Sequence, residues 1–273
     1  MHVADSHLHT LHSFDSVTPM AGQCAAALTA GVEELCFTEH FSLNPKAPTY
    51  GHLEWAAYEA DFAACARQFE GRLLLRRGIE LCEPHQPTEA YRELLGRLGL
   101  DMVVGSIHNV QGLKLRTLVE SRGAGEACRL YFAELLQMTR AADIDVVAHL
   151  DLIKRYIGRP LTRQEREQSR PVLEQLFAVM VRRGLTLELN ASMLESLGQF
   201  SPEKEALRLY AALGGSRLTF GSDAHKPSRV GYGFAEAVAL ARACGFDGFY
   251  TYLQRRPVFH PFEGQAVEKV TQP

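Results

Sequence analysis

The feature that most limits what this chain can fold into is an alternation. Short apolar runs of strand character take turns with longer amphipathic stretches, seven times over. The strand-like runs are Val3–His7, Glu34–Thr38, Leu73–Leu81, Met102–His108, Asp145–His149, Thr186–Asn190 and Leu218–Ser222. Apolar residues three and four apart predict helices over Met20–Ala30, Leu53–Phe69, Thr88–Leu98, Glu126–Ala141, Arg163–Arg183, Pro202–Ala212 and Gly233–Cys244. Strands separated by helices form a parallel sheet, because the crossover helix returns the chain to the same end of the sheet. An open doubly wound sheet and a closed (β/α) barrel both satisfy this α/β pattern. The Rossmann glycine fingerprint and the phosphate-binding loop are absent from the sequence, which weakens a nucleotide-binding open sheet.

Local signals punctuate the pattern. Thr162-Arg163-Gln164-Glu165 fits a capping box, and Ser201 before Pro202 reads as a cap followed by a first-turn proline. Gly31, Gly71, Gly99 and Gly184 read as stops. Pro171, inside the longest helical stretch, predicts a kink or two helices. The segment from Tyr252 to Pro273 has no clear period and is expected to pack on the barrel as a tail, with residues 1–273 forming a single domain.

Composition narrows the function. With 46% hydrophobic residues, 22% charged residues and a net charge of -3, the chain is globular and offers no bulk attraction to long nucleic acid or an anionic membrane. No run approaches the ~18–20 apolar residues of a membrane span. The first ten residues lack the basic and apolar regions of a signal peptide, so a cytoplasmic location is expected. The six cysteines are scattered without a C-x-x-C pair, which excludes a zinc ribbon and leaves them as small core hydrophobes.

The histidines are distributed otherwise. Six of the 11, namely His7, His9, His40, His108, His149 and His225, fall where five of the strand-like runs finish. Carboxylates accompany them: Asp5, Glu39, Glu80, Asp151, Glu188 and Asp223. In a (β/α) barrel these ends converge on one mouth, where active sites lie. One histidine at a strand end is an ordinary core or rim residue; six at the same end are a ligand set. Imidazole and carboxylate together suit zinc, manganese or iron. His7 and His9, two apart on a strand, share one face, and Asp223 and His225 repeat the spacing. The candidates exceed the three protein ligands of one catalytic zinc and would serve two or three ions.

At these residues the chain resembles the PHP (polymerase and histidinol phosphatase) family of metal-dependent phosphoesterases. The family's opening pattern matches His7-Leu8-His9-Thr10 followed by Asp15; Glu39-His40, Glu80, Ser106-Ile107-His108, His149 and Asp223-Ala224-His225 resemble its later motifs in order. The resemblance runs from Asp5 to about Gly231. Within the family, the excursion between His40 and Glu80 and the run from His149 to Tyr156 look most like the histidinol-phosphate phosphatases. The resemblance implies a distorted seven-stranded (β/α) barrel and a trinuclear centre at the carboxyl ends of its strands. It implies His7, His9, Glu80 and Asp223 at one ion, a bridging Glu80 with His108 and His149 at the second, and His40, His225 and Asp15 at the third. It further implies hydrolysis of L-histidinol phosphate, a step of histidine biosynthesis, by metal-activated water; a nucleotide or short-oligonucleotide phosphoesterase and a non-catalytic metal-binding module are the alternatives. An amide or amine hydrolase with the same opening motif would usually carry a metal-bridging lysine.

Phosphate monoester hydrolysis is slow enough to demand accelerations up to ~10²¹, achieved mostly by positioning and electrostatics. Glu80 and Asp223 are the expected catalytic carboxylates, with Asp223 or a metal-bound water as the proton donor to the leaving alcohol. A cation is expected on the phosphoryl group, with Arg155 first, then Lys226 and Arg229, then Lys114 and Arg116. Asn190 is a candidate either to face substrate or water at the mouth or to serve as a structural polar plug, and His85 is a weaker substrate candidate. Asp5, Glu39, Asp151 and Glu188 are expected to brace ligand imidazoles. His12 competes with Asp15 as a ligand, while His2, His52 and His260 read as surface residues.

Overall fold

A computed structural model describes residues 1–262. The chain forms strands β1 (Ala4–Leu8), β2 (Glu34–Phe41), β3 (Leu74–Cys82), β4 (Met102–Ser106), β5 (Val146–Val147), β6 (Thr186–Asn190) and β7 (Leu218–Gly221), paired in chain order into one seven-stranded parallel sheet. The sheet curls until its edges meet. His9 N donates to Ala224 O at 2.9 Å and Asp223 N donates to His7 O at 2.8 Å, so the last strand is joined to the first at their carboxyl ends. The closure is local to that mouth, and the result is a nearly closed, irregular barrel.

Helices α1 (Met20–Ala30), α2 (Trp55–Gln68), α3 (Thr88–Leu95), α4 (Leu115–Arg122), α5 (Ala124–Ala141), α6 (Ile153–Ile157), α7 (Arg163–Arg183), α8 (Leu194–Leu197), α9 (Lys204–Ala212) and α10 (Phe234–Ala243) cover the barrel. Gly31 and Gly184 close α1 and α7 in the left-handed conformation, and Thr162 with Glu165 forms the capping box at the start of α7. Gly71 lies two residues past the end cap of α2, and α3 ends at Gly96, three residues before Gly99. Three further expectations are corrected. α7 runs through Pro171 as one helix; the proline sits in its third turn, with polar neighbours Gln168, Ser169 and Arg170. The segment after Ser201 begins its helix only at Lys204, with Glu203 as the cap, because Ser201 is paired through both backbone groups with Asn190. The run expected as a strand to His108 stops at Ser106, and Asn109–Val110 instead pairs with Leu113–Lys114 in a short hairpin.

The expected irregular tail is also corrected. Strands β8 (Gly248–Leu253) and β9 (Arg256–Pro261) form an antiparallel hairpin, with residues 263–273 outside the described part of the chain. This hairpin plugs the amino-terminal end of the barrel. Tyr252, 4% exposed, packs with Cys36, Met102, Val104, Val146 and Ala148, and its hydroxyl hydrogen-bonds Thr186 Oγ1 at 2.6 Å. Arg255 reaches Asp145 at 3.0 Å and Asp143 at 2.8 Å. With one end sealed, the opposite mouth remains for ligand.

Candidate metal centre

Strand register sets up the centre. His40 on β2 pairs directly with Glu80 on β3, so their side chains leave the sheet side by side. Glu80 is fully buried, and its two oxygens address two groups of imidazoles. Oε2 lies 3.3 Å from His7 Nε2, 3.5 Å from His9 Nε2 and 2.7 Å from His40 Nδ1. Oε1 lies 3.0 Å from His149 Nε2 and 3.7 Å from His108 Nε2. Asp223 Oδ1 is 3.3 Å from His9 Nε2, 3.8 Å from His7 Nε2 and 3.7 Å from His225 Nδ1. Asp15 Oδ2 comes in from the loop after β1, 3.4 Å from His40 Nε2 and 3.3 Å from His225 Nε2. The structure thus brings together all nine residues expected at the centre. His12 goes elsewhere, its Nε2 2.9 Å from Asp61 Oδ2.

Backbone geometry contributes. Asp223 has φ 58°, a left-handed conformation that aspartate tolerates better than most residues, and His149 has φ 21°. Such conformations persist where the surroundings enforce them, as the barrel closure does beside Asp223.

The electrostatics suit a cation. Burial alone would raise the Glu80 and Asp223 carboxyls. For Glu80, His40 and His7 override burial and hold it well below the ordinary carboxylate range. For Asp223, His7 and His9 do the same. Burial, with the charges of His40 and His225 adding, lowers His9 to about 3; burial likewise takes His108 to about 3 against the pull of Glu80. Burial opposes protonation of His7 as well, but Glu188 and Glu80 carry it well above the usual imidazole value. Ionised carboxylates and the neutral imidazoles of His9 and His108 share one buried space. Glu80 Oε2 and His40 Nδ1 are buried without a hydrogen bond of acceptable geometry, although they lie 2.7 Å apart. A buried carboxylate oxygen without a donor is costly, and the oxygen- and nitrogen-rich donor set around it fits a divalent metal.

The bracing residues are partly those expected. Glu188 Oε1 lies 2.5 Å from His7 Nδ1, and its Oε2 accepts from His149 N at 2.7 Å. Glu39 acts one step removed: it accepts from Ser13 Oγ at 2.6 Å, and that hydroxyl lies 3.0 Å from His9 Nδ1. Asp5 touches no imidazole ring; it accepts from Ser222 and Gly231 and fastens the barrel seam, because the loop beyond β7 folds back over it. Asp151 is turned away toward Lys154. Asn190, expected at the mouth, is fully buried and consumed by Glu188 and Ser192, a structural role. His85 binds Glu134 on α5 at 2.9 Å and does not line the mouth. His52 is exposed, but His2 and His260 are half-buried and stacked 4.2 Å apart beside Glu34 at the sealed end, where β9 covers the start of β1.

Cys82 is a further residue at the centre, outside the histidine and carboxylate pattern. Two residues beyond Glu80, it shares that residue's strand face and stands 3.3 Å from His108 Nδ1. Ser13 carries no spacing signal.

Above the centre opens a cavity of about 440 Å³, with Phe14, Thr49, Lys114, Arg116, Arg155 and Tyr156 on its walls. Arg155 Nη2 is 3.7 Å from Asp223 Oδ2. Lys226 and Arg229 line a smaller adjoining recess with Arg155, and Arg229 is engaged by Glu195 at 2.9 Å and the Tyr232 ring at 3.6 Å.

Fold and site together define a barrel protein equipped to hold divalent metal ions at the carboxyl ends of its strands. More particularly, the chain belongs to the PHP family: the PHP domain profile matches residues 5–192. A protein of Deinococcus radiodurans described as a probable histidinol-phosphatase is 34% identical over 256 residues, covering 89% of this chain and 94% of the relative. The histidinol-phosphatase of Lactococcus lactis is 22% identical over 254 residues, 91% of this chain and 93% of the relative. The crystal structure of histidinol phosphate phosphatase from L. lactis, complexed with zinc, L-histidinol and phosphate, superposes with a TM-score of 0.84 at 21% identity, covering 94% of this chain and 98% of that one. That likeness establishes the shared fold.

Proposed function

We propose that this single-domain chain is a cytoplasmic metal-dependent phosphomonoesterase that hydrolyses L-histidinol phosphate to L-histidinol and phosphate. The observation that carries the chemistry is Glu80, whose two carboxylate oxygens face separate groups of imidazoles, as a bridging ligand must. The substrate rests on the 34% identical relative. Among the described residues, no helix is long and apolar enough to cross a membrane.

In this reading His7, His9, Glu80 and Asp223 would hold one ion, Glu80, His108 and His149 a second, and His40, His225 and Asp15 a third. Divalent ions bound there supply Lewis acidity to the phosphoryl oxygens and make water a nucleophile near neutral pH. The protein's own groups do the rest. Arg155, at the rim 3.7 Å from Asp223, neutralises phosphoryl charge and fixes its orientation. Asp223, held ionised, accepts the proton that the attacking water releases and returns it to the departing alkoxide as the P–O bond breaks. The walls formed by Phe14 and Tyr156 limit bulk water around the ester.

The test is phosphate release from L-histidinol phosphate, a nucleoside monophosphate and a bis-aryl phosphodiester, with enzyme loaded separately with manganese, zinc and iron. The reading expects kcat/KM for histidinol phosphate far above the other two and its loss in Asp223→Asn. A higher kcat/KM for the nucleotide or the diester contradicts the substrate; binding of metal without turnover of any ester contradicts the enzyme.

A further inference from the structure

A second cavity, of about 250 Å³, opens between α7 and α9 and shares no lining residue with the metal mouth. Part of its wall is apolar, from Phe132, Leu150, Leu161, Leu173 and Leu209, and charged side chains of α7 and α9 complete it. Two buried carboxylates also line it: Asp151, 1% exposed, and Glu203, 4% exposed. One oxygen of each, Asp151 Oδ1 and Glu203 Oε2, is buried without a hydrogen-bond partner.

The neighbouring cations do not meet that demand. The Lys154 ammonium has three protons and three acceptors already: Asp151 Oδ2 at 2.8 Å, Phe200 O at 3.1 Å and Gln199 Oε1 at 3.4 Å. Asp151 Oδ2 further accepts from Glu203 N at 2.9 Å. Arg166 Nη1 donates to Leu161 O at 2.6 Å and forms only a long ion pair with Glu203 Oε2, at 3.7 Å, without a hydrogen bond. Two buried carboxylate oxygens on residues lining one cavity therefore lack a hydrogen bond, and leaving such atoms without one is unfavourable. The groups around Glu203 register the same imbalance: burial first, then the Asp151 charge, pushes its carboxyl up to about 7.

We propose that this cavity binds a small molecule carrying a primary ammonium group on an apolar body, with the ammonium donating to Asp151 Oδ1 and Glu203 Oε2. The hydrocarbon part lies against the leucine and phenylalanine walls. Amino alcohols and zwitterionic α-amino acids both offer this chemistry, and Arg166 and Arg170 at the rim are placed to meet a carboxylate if one is present. The inference stands apart from the phosphatase reading, since it uses no group of the metal centre.

The experiment is calorimetric titration of the full-length, metal-loaded protein, with inorganic phosphate present throughout to occupy the metal mouth. Three probes of matched shape separate the chemistries: L-leucinol with an ammonium alone, L-leucine with both charges, and 4-methylpentanoate with a carboxylate alone. The proposal expects leucinol, leucine or both to bind at up to millimolar concentration and 4-methylpentanoate not to. It also expects Glu203→Gln to weaken binding about tenfold or more, as loss of a charged hydrogen bond should. Ala206→Leu, which fills the cavity and leaves its charges, is expected to abolish binding and serves if Glu203→Gln melts abnormally. Binding of 4-methylpentanoate alone, suppression of the amine signal by potassium chloride in excess of a matched choline chloride control, unchanged affinity in both folded variants, or no binding by any probe would overturn it.

Discussion

Glu188→Gln is the sharpest single change for testing how the protein holds its metals. Both oxygens of Glu188 accept hydrogen bonds at the centre, one beside His7 Nδ1 at 2.5 Å and one from His149 N at 2.7 Å. With its Nδ1 proton committed to Glu188, His7 presents Nε2 beside Glu80 and Asp223, where it would give up its proton to bind a metal. An amide has one acceptor oxygen. Glutamine satisfies either His7 or His149 and turns an NH₂ on the other, so one ligand is misdirected while the fold stays intact. The side chain has nowhere to retreat: a Cβ added at Gly221 would stand 2.2 Å from Glu188 Oε1, which shows how closely the backbone presses on it. Loss of such a bracing contact lowers metal affinity about 10–100-fold, or about 1.4–2.7 kcal/mol. The assay is competition for manganese or zinc with a chromogenic chelator, alongside kcat at saturating metal. A folded Glu188→Gln protein that holds metal as tightly as the parent would refute the reasoning.

Other expectations follow from the same contacts. Glu80→Gln leaves one oxygen for two groups of imidazoles, so metal content falls by at least one ion per chain by mass spectrometry and kcat drops by about 10³ or more. Arg155→Ala raises KM and lowers kcat/KM for the phosphate ester by about 10–100-fold, whereas Arg229→Ala, whose guanidinium is held by Glu195 and Tyr232, changes it less than about threefold in steady-state assays. At the sealed end, Tyr252→Phe removes the hydroxyl contact to Thr186 and costs about 0.5–1.5 kcal/mol in denaturant unfolding of the metal-loaded protein. Glu203, raised to about 7, is harder to ionise in the folded state than in the unfolded one, so its contribution falls as pH rises from the ordinary carboxylate value through about 7. The melting temperature of Glu203→Gln relative to the parent is accordingly expected to rise between pH 5 and pH 8.

Period-two spacing made most of the site readable. His7 with His9 and Asp223 with His225 lie at or just past strand ends, and convergence follows once the strands are known to be parallel. The same rule applied to Glu80 would have revealed Cys82. What spacing does not encode is pairing across the barrel: Glu188 braces a histidine 181 positions away, while Asp5 and Asp151, closer in sequence to ligands, face elsewhere. Burial also hides function, since Asn190 occupies a strand end but is spent holding Glu188. The closing hairpin escaped because both faces of β8 carry aromatic or polar residues in a mixture, Phe249, Tyr250, Thr251 and Tyr252, with no clean alternation. At Pro202 the local helix-start signal is outweighed by the pairing of Ser201 with Asn190 at the end of β6.

The most direct test of the central claim is to strip the protein of metal with a chelator and add back manganese, zinc or iron in defined equivalents. Metal bound per chain and phosphate released from L-histidinol phosphate are read at each step. The account predicts no turnover without metal, recovery that saturates at two or three ions per chain, and no recovery in Asp223→Asn. Turnover by stripped protein at the rate of the loaded enzyme would contradict it.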